Sequence, residues 1–268
     1  MRKWVLRFAI ALLLAVFAFS AISLASIRKQ YLGVDQFYAD AVKTYVHSEA
    51  EGSGEESAVN REEAAPETAP ILIDFESLQS VNSDVAGWIY CEGTPINYPV
   101  LKGENNDVYL HHTYEGNYSS AGSIFVDEAN RPGFSDSNTI IYGHHMKNGS
   151  MFASLEKWAD QTFYEEHPVM WLLTPKQDYK VVLFSGYETS AYSDTYTVFT
   201  GPCAEFDDYL KKCVQQSDFQ ADVVLDEEGY YLLLSTCAYA YTDARYVLHG
   251  MLVPVGGRKS GMAGGMDT

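Results

Sequence analysis

Two side chains of this sequence have the types and the spacing for nucleophilic catalysis. Cys237 ends the apolar run at 230–237, and Arg245 follows eight residues later, at the start of a second apolar stretch. A thiolate is a strong nucleophile, and a nearby cation both favours the thiolate and stabilises a developing oxyanion. The pair therefore predicts a nucleophilic cysteine beside an oxyanion-stabilising arginine, brought together by a strand hairpin.

His144 is the candidate for the proton transfers that such a thiol needs. It follows the sequence Thr-Ile-Ile-Tyr-Gly at 139–143, where a strand is predicted to end and the glycine allows a tight turn. Imidazole titrates near neutral pH, so it can take a proton from a nucleophile and give one to a leaving amine. His145, directly adjacent, is the competing choice.

The other histidines near this chemistry are interpreted as structural. His249 shares a strand face with Arg245 by the two-residue period, but it lies four residues, or about 13 Å, farther along the strand. His111 and His112 fall in a predicted loop. Neither a Cys-x-x-Cys nor a His-x-x-x-His spacing accompanies these residues, which argues against a metal site. No Asp or Asn is identified as the group that orients the catalytic imidazole, and no cofactor is expected.

These side chains require strands that end near one another. Strands are predicted at 87–91, 98–101, 123–127, 139–142, 169–173, 179–187, 229–237 and 245–254. Eight short strands in one domain indicate a closed barrel or sandwich, mainly β with peripheral helices. Helices are predicted at 74–78, 151–159 and 203–216.

The composition indicates a folded, acidic protein. Of its 268 residues, 47% are hydrophobic and 14% aromatic, which is ample for a core. The formal net charge is −18, and five basic residues precede the first acidic residue, Asp35. The acidic remainder would repel phosphate backbones, so nucleic acid is not an expected partner.

The N-terminal segment is predicted to cross a membrane. Residues 8–27 carry no charge, and twenty residues in a helix would be about 30 Å long, the thickness of a bilayer core. Because Arg2, Lys3 and Arg7 precede this segment, the expected location is the cell membrane, single-pass, with a cytoplasmic N-terminus and an extracellular catalytic domain. A signal peptide cleaved after Ala25 is the alternative, but the uncharged segment exceeds the usual core of about 7–15 residues.

The remaining domain boundaries follow changes in composition. Residues 1–29 form the predicted anchor, and residues 30–70 a stalk helix followed by an acidic linker, with seven glutamates between 47 and 70. The catalytic domain is predicted at 71–256, and residues 257–268 as a flexible tail.

The other cysteines are interpreted as core thiols. Cys203 and Cys213 fall on the apolar face of the predicted helix at 203–216, about 15 Å apart, too far to form a disulfide with each other. Cys91 ends the first predicted strand. Buried thiols of this kind act as small hydrophobic groups.

Several motifs, in chain order, resemble the sortases, cysteine transpeptidases of Gram-positive bacterial surfaces. They are TIIYGHH at 139–145, LSTC at 234–237, and Arg245. Class B sortases in particular are similar at VAGWI (85–89), PINYPV (95–100), AGSIF (121–125) and GSMF (149–152). The resemblance extends over about residues 71–255.

The resemblance implies an eight-stranded sortase-type β-barrel with three catalytic residues. Cys237 would be the nucleophile, His144 the general acid/base, and Arg245 the stabiliser of the oxyanion or substrate. The residues that by similarity would line the groove for the substrate are Asn97, Leu101, Tyr196, Ser235 and Thr236.

The implied reaction is cleavage of a C-terminal sorting signal at a threonine carbonyl, formation of a thioacyl-enzyme, and transfer to a peptidoglycan amine. The expected partners are surface proteins that bear such a signal, and a peptidoglycan precursor or cross-bridge amine. A membrane-anchored enzyme would be held close to both.

Two alternatives remain. A pilin-polymerising sortase would use a lysine of another protein as the acceptor. The Asp-Pro-aromatic plug and the second, C-terminal membrane helix typical of class C enzymes are absent, although some class B-like enzymes also build pili. A catalytically inactive surface binding module is the other alternative, and it gives no reason to keep Cys237, His144 and Arg245 together.

Overall fold

The computed structural model describes residues 2–48, 68–238 and 242–256. It comprises two compact units, one ending at Ala41 and one beginning at Val42. Most of the predicted acidic linker, at 49–67, lies outside the described residues, and so does the predicted tail at 257–268.

The N-terminal segment is one continuous helix, α1, Arg2–Tyr45. It passes through the predicted boundary between anchor and stalk at residues 29 and 30. No proline occurs in this segment, and its one glycine, Gly33, is tolerated within a helix at a cost of about 1 kcal/mol.

The predicted membrane span is wrong. Among the described residues, no helix combines the length with the apolar character that crossing a membrane requires. The single-pass location in the cell membrane, with a cytoplasmic N-terminus and an extracellular catalytic domain, depended on that span and is wrong with it.

A small antiparallel sheet and a capped helix lead into the main domain. β1, Val46–Ser48, pairs with β2, Ile71–Ile73. Directly after β2, the Asp74 carboxylate accepts a hydrogen bond from Ser77 N at 3.0 Å and so caps α2, Phe75–Val81. The capped helix predicted at 74–78 is therefore confirmed.

The main domain is a closed eight-stranded barrel, with the strands in the order β10-β8-β7-β3-β4-β5-β6-β9. The strands are β3 Val85–Tyr90, β4 Asn97–Leu101, β5 Ile124–Val126, β6 Asn138–Tyr142, β7 Val169–Leu173, β8 Tyr179–Ser190, β9 Tyr230–Cys237 and β10 Ala244–Pro254. All eight predicted strands are confirmed, with ends that differ by at most three residues. Closure of the barrel leaves no open sheet edge.

Three neighbouring strands position the candidate catalytic residues. β6 runs parallel to β9, with Tyr142 opposite Ser235, so the C-terminal ends of both strands lie at one edge of the barrel. β10 runs antiparallel to β9, with Arg245 opposite Cys237. The barrel therefore brings together residues far apart in the chain.

Short helices connect the strands. A 3-10 helix, Ala153–Ala159, occupies the segment predicted as a helix at 151–159, and α3, Gln161–Glu166, follows it. A second 3-10 helix is Asp194–Tyr196, and α4 is Ala204–Gln216, in agreement with the helix predicted at 203–216.

α4 packs on the barrel through its apolar face. Phe206, Leu210 and Cys213 recur at helical spacing and pack in one cluster with Ile140 of β6 and Leu233 of β9. Burial of a side chain as large as phenylalanine or leucine contributes about 1.5–3 kcal/mol, so this face holds the helix on the strands that carry the site.

The prediction of a core thiol is wrong for one cysteine. Cys91 and Cys213 are buried, as expected, but Cys203 is exposed. α4 begins only at Ala204, and Cys203 lies before it in extended backbone, so its side chain does not share the apolar face of the helix. Cys91, Cys203, Cys213 and Cys237 are all free thiols.

Candidate active site

Cys237 is the last residue of β9, and Arg245 is the second residue of β10. The two are directly opposite in the antiparallel register, and Cys237 is partly exposed. The neighbouring bond from Ala238 N to Ala244 O, 2.9 Å long, closes the ladder just beyond them. Directly opposed residues on one face of a sheet are close enough to interact, so the guanidinium and the thiol belong to one site.

His144 lies two residues beyond the end of β6. The intervening Gly143 donates its N–H to Ser235 O at 3.1 Å and extends the contact with β9. A Cβ atom at Gly143 would lie 2.5 Å from Ile124 Cδ1 and 2.7 Å from Phe152, which is too close. Glycine is therefore required for the close approach that delivers His144 to the strand edge.

One pocket receives these side chains. It has a volume of about 350 Å³, and Cys237, His144 and Arg245 all line it. The other described residues in its lining are Asn106, Asp107, Leu110, Phe125, Tyr142, Gly143, Ala191, Tyr196, Ser235 and Thr236. The structure thus brings the three predicted catalytic residues to a single cavity, and their individual roles stay predictions.

The orientation of the His144 ring is set by a backbone carbonyl. His144 Nε2 lies 2.8 Å from Leu110 O. Because a carbonyl oxygen only accepts hydrogen bonds, Nε2 must carry the proton, and Nδ1 is then the basic nitrogen of the neutral ring. The orienting group that the sequence left unassigned is therefore a main-chain atom, for which no residue type gives a signal.

A wall of hydroxyl groups forms another side of the pocket. Tyr196 Oη and Ser235 Oγ are 2.8 Å apart, and the rings of Tyr142 and Tyr196 are stacked at 6.3 Å. The Tyr142 hydroxyl donates to Asp127 Oδ2 at 2.8 Å. Burial, together with the Asp127 carboxylate, raises the pKa of Tyr142, so this hydroxyl stays protonated and serves as a fixed donor.

The predicted substrate-binding residues divide into two groups. Tyr196, Ser235 and Thr236 line the pocket with the catalytic candidates. Asn97 and Leu101, at the two ends of β4, are not among the described residues of that lining. Asn97 Oδ1 accepts a hydrogen bond from Trp88 at 2.7 Å, and Leu101 is fully buried.

Thr236 differs from its neighbours in the wall. Its hydroxyl oxygen is buried and has no hydrogen-bond partner among the described residues. Side chains alternate along a strand, so Ser235 and Cys237 share one face of β9 and Thr236 points to the other.

The remaining histidines have clear places. His249 is buried, with Nε2 3.1 Å from Tyr209 Oη, in agreement with its interpretation as a packed strand residue. His112 Nδ1 lies 2.8 Å from Val108 O, and the His111 ring lies 6.4 Å from the His144 ring. His145 does not line the pocket among the described residues, and it contacts the cysteine strand instead.

A family model for the sortase domain matches residues 89–253. The chain belongs to the sortase family. Sortase B of Listeria monocytogenes is 41% identical over 184 residues, which cover 67% of this chain and 74% of that protein. Sortase B of Staphylococcus aureus is 34% identical over 183 residues, which cover 68% of this chain and 75% of that protein.

Solved sortase structures share this barrel. A Staphylococcus aureus sortase B–substrate complex matches with a TM-score of 0.64 and 34% identity, covering 68% of this chain and 85% of that one. Clostridium perfringens sortase B matches with a TM-score of 0.62 and 33% identity, covering 67% of this chain and 100% of that one. These similarities confirm a class B sortase, and the protein is a cysteine transpeptidase of the sortase B type.

Proposed function

We propose that this sortase cleaves a C-terminal sorting signal of surface proteins at a threonine carbonyl and transfers the protein to a peptidoglycan amine. The observation that carries the proposal is the single pocket lined by Cys237, His144 and Arg245. A nucleophile, a general acid/base and a cation around one cavity are the groups that acyl transfer through a thioester requires.

In the first half-reaction, the Cys237 thiol gives its proton to His144, and the sulfur attacks the threonine carbonyl carbon. Arg245 stabilises the negative charge that develops on the carbonyl oxygen. His144 then gives its proton to the departing amide nitrogen, the carbon–nitrogen bond breaks, and a thioester with Cys237 remains.

In the second half-reaction, the acceptor amine attacks the thioester carbonyl. His144 takes a proton from the attacking nitrogen, and the carbon–sulfur bond breaks as the new amide forms. The sulfur leaves as a thiolate. His144 then gives its proton to this thiolate, so the enzyme regains its starting protonation state.

The pocket wall supports recognition of a peptide with a threonine at the scissile bond. Tyr196 and Ser235 present hydroxyl groups beside Cys237, and hydroxyl groups can hydrogen-bond both to a threonine side chain and to peptide groups. Asn97 and Leu101 stay predictions as groove residues. One related solved structure, 34% identical with a TM-score of 0.62, is a sortase B complexed with triglycine, which supports an amine acceptor for this chain as well.

The test is to incubate the full chain with a library of pentapeptide-containing substrates and a triglycine amine, and to identify the products by mass. We expect cleavage after threonine and a product joined to the amine. A second arm supplies a lysine-containing peptide as the acceptor, and preferential joining to lysine would favour pilin polymerisation instead. Absence of any thioester or product with intact, folded protein would refute the proposed function.

A further inference from the structure

The histidine beside the candidate general acid/base makes a contact that neither the sequence nor the mechanism accounts for. His145 Nδ1 lies 2.7 Å from the main-chain oxygen of Cys237. The same nitrogen lies 3.3 Å from Glu156 Oε1. Both oxygens only accept hydrogen bonds, so Nδ1 carries the proton and donates it toward the residue that bears the nucleophile.

The place of this contact follows from the register of β6 and β9. In the parallel ladder, Gly143 N donates to Ser235 O, and successive acceptors on one side of a strand recur every second residue. The next acceptor is therefore Cys237 O, and the next donor would be the main-chain N–H of residue 145. β6 has already ended at Tyr142, and the main chain of His145 forms an isolated bridge with Met151 instead.

We propose that His145 is a positioning residue whose imidazole replaces the missing main-chain rung of the ladder and so fixes the strand end that carries the Cys237 thiol. The proposal rests on the proposed role of Cys237 as the nucleophile. The hydrogen bond continues the β6–β9 ladder by one rung, up to the residue where the chemistry occurs. Glu156, on the 3-10 helix Ala153–Ala159, approaches the same ring nitrogen, with Oε1 3.3 Å from Nδ1.

This hydrogen bond matters for function because the rate depends on where the Cys237 sulfur lies relative to His144 and Arg245. The sulfur has to stay in line with His144 and Arg245, and displacement of a reacting atom by about 1 Å costs about 10²-fold in rate. A strand end with its last carbonyl unpaired on the β6 side would be free to move by such amounts. Ser235, which is hydrogen-bonded to Tyr196, lies two residues earlier on β9, where it pairs with Tyr142 of β6, and so does not depend on His145.

The test uses two amide substitutions that differ in where they place the donor. In His145→Asn the amide nitrogen takes the position of Nδ1, and in His145→Gln it takes the position of Nε2. We expect His145→Asn to keep kcat within about threefold of wild type, and His145→Gln and His145→Leu to lose about 10- to 100-fold in kcat with little change in KM. The assay uses whichever threonine-containing peptide the wild-type full chain cleaves.

Glu156→Gln separates the hydrogen bond to Cys237 O from the contact with the Glu156 carboxylate. Because the amide keeps the size of the side chain and the ring keeps its bond to Cys237 O, we expect kcat within about threefold of wild type. A loss in Glu156→Gln as large as that in His145→Leu would overturn the proposal, and so would equal activities of the Asn and Gln variants.

Amide hydrogen exchange tests the contact without any assay of activity. Exchange in the segment 230–238 should be faster in His145→Leu and His145→Gln than in wild type and in His145→Asn. Unchanged exchange in all variants would refute the positioning role. If the wild-type chain cleaves no peptide, the proposed function fails, whereas the exchange data still decide whether His145 holds the strand end.

Discussion

In the described part of this barrel, one cysteine–histidine pair lines a pocket and another is buried in the core. In the core, Cys213 Sγ is 3.5 Å from His249 Nε2, and both residues are buried, Cys213 on α4 and His249 on β10. At the barrel edge, Cys237 and His144 line the cavity with Arg245. Its thiol–imidazole distance of 3.5 Å would by itself make the core pair a candidate for catalysis.

The environment of the core pair makes it inert. Burial raises the pKa of Cys213 to about 11 and lowers the pKa of His249 to about 3. At neutral pH the thiol therefore keeps its proton, and the imidazole is neutral. The pair lacks what the edge pair has: an opening to a pocket and a guanidinium opposite the sulfur in the register. Proximity of a thiol and an imidazole is thus insufficient, and strand-end position decides which pair can react.

The largest expected effect separates the two thiols. Cys237→Ala should abolish cleavage and transpeptidation while the protein stays folded, because the removed thiol is partly exposed at a strand end and leaves little cavity. Mass analysis of products and circular dichroism check the two halves of this prediction. The matched controls are Cys91→Ala, Cys203→Ala and Cys213→Ala, and an equal loss in any of them, in folded protein, would mean that the nucleophile is misassigned.

The next effect tests the guanidinium that lies opposite Cys237 in the register. Arg245→Lys keeps the charge but replaces a planar fork of donors by a single ammonium group. We expect kcat/KM to fall by about 10²–10³-fold, the usual cost of one oxyanion donor. Steady-state kinetics with the cleaved peptide measure it. Near-wild-type kinetics would indicate that Arg245 supplies only a diffuse positive potential.

His249, the core histidine, should make the free energy of unfolding depend on pH. The pKa of His249 is lowered by burial to about 3 in the folded state and is about 6.5 in the unfolded state. As the pH falls, His249 therefore binds a proton in the unfolded chain before it does so in the folded protein. Its contribution to the free energy of unfolding is complete above about pH 6.5 and is lost progressively as the pH falls toward the pKa of the folded state.

Relative to His249→Gln, the free energy of unfolding of wild type should drop by about 1.4 kcal/mol per pH unit below pH 6.5, or about 3 kcal/mol by pH 4.5. Urea unfolding across this range measures both proteins. Parallel pH curves for wild type and variant would show that His249 does not titrate in this way.

The smallest expected effect is the loss of stability when the buried thiol of Cys213 is removed. Cys213→Ala should lower the free energy of unfolding by about 1–2 kcal/mol, because a buried thiol acts as a small hydrophobic group, and should leave kcat unchanged. Urea unfolding and peptide kinetics check the two parts. A fall in kcat without a change in stability would link the core pair to the chemistry and break the contrast with the edge pair.

Much of the barrel could be predicted because its strands are strongly patterned and short. β9 is a run of apolar residues that ends at Ser235, Thr236 and Cys237, and the turn before it is fixed by Gly229, whose N–H donates to Asp226 O at 2.9 Å. Such local signals depend on neighbouring residues only, and all eight strands followed from them. The exposed position of Cys203 has no such signal, because a difference of one residue at a helix start moves a side chain off the apolar face.

The predicted membrane span shows the limit of one local pattern. The uncharged twenty-residue segment at 8–27 predicts a span, whereas among the described residues no helix is both long enough and apolar enough to cross a bilayer.

The sequence by itself determined the residue types at the strand ends, the eight strands and, through the hairpin of β9 and β10, the pairing of Cys237 with Arg245. Only the tertiary structure placed β6 beside β9 and so brought His144 to that pair, because a parallel pairing between strands about ninety residues apart has no local signal. It also supplied two contacts of main-chain oxygens, Leu110 O with His144 and Cys237 O with His145. Every residue carries a carbonyl, so which one meets a given imidazole is decided by the folded chain alone.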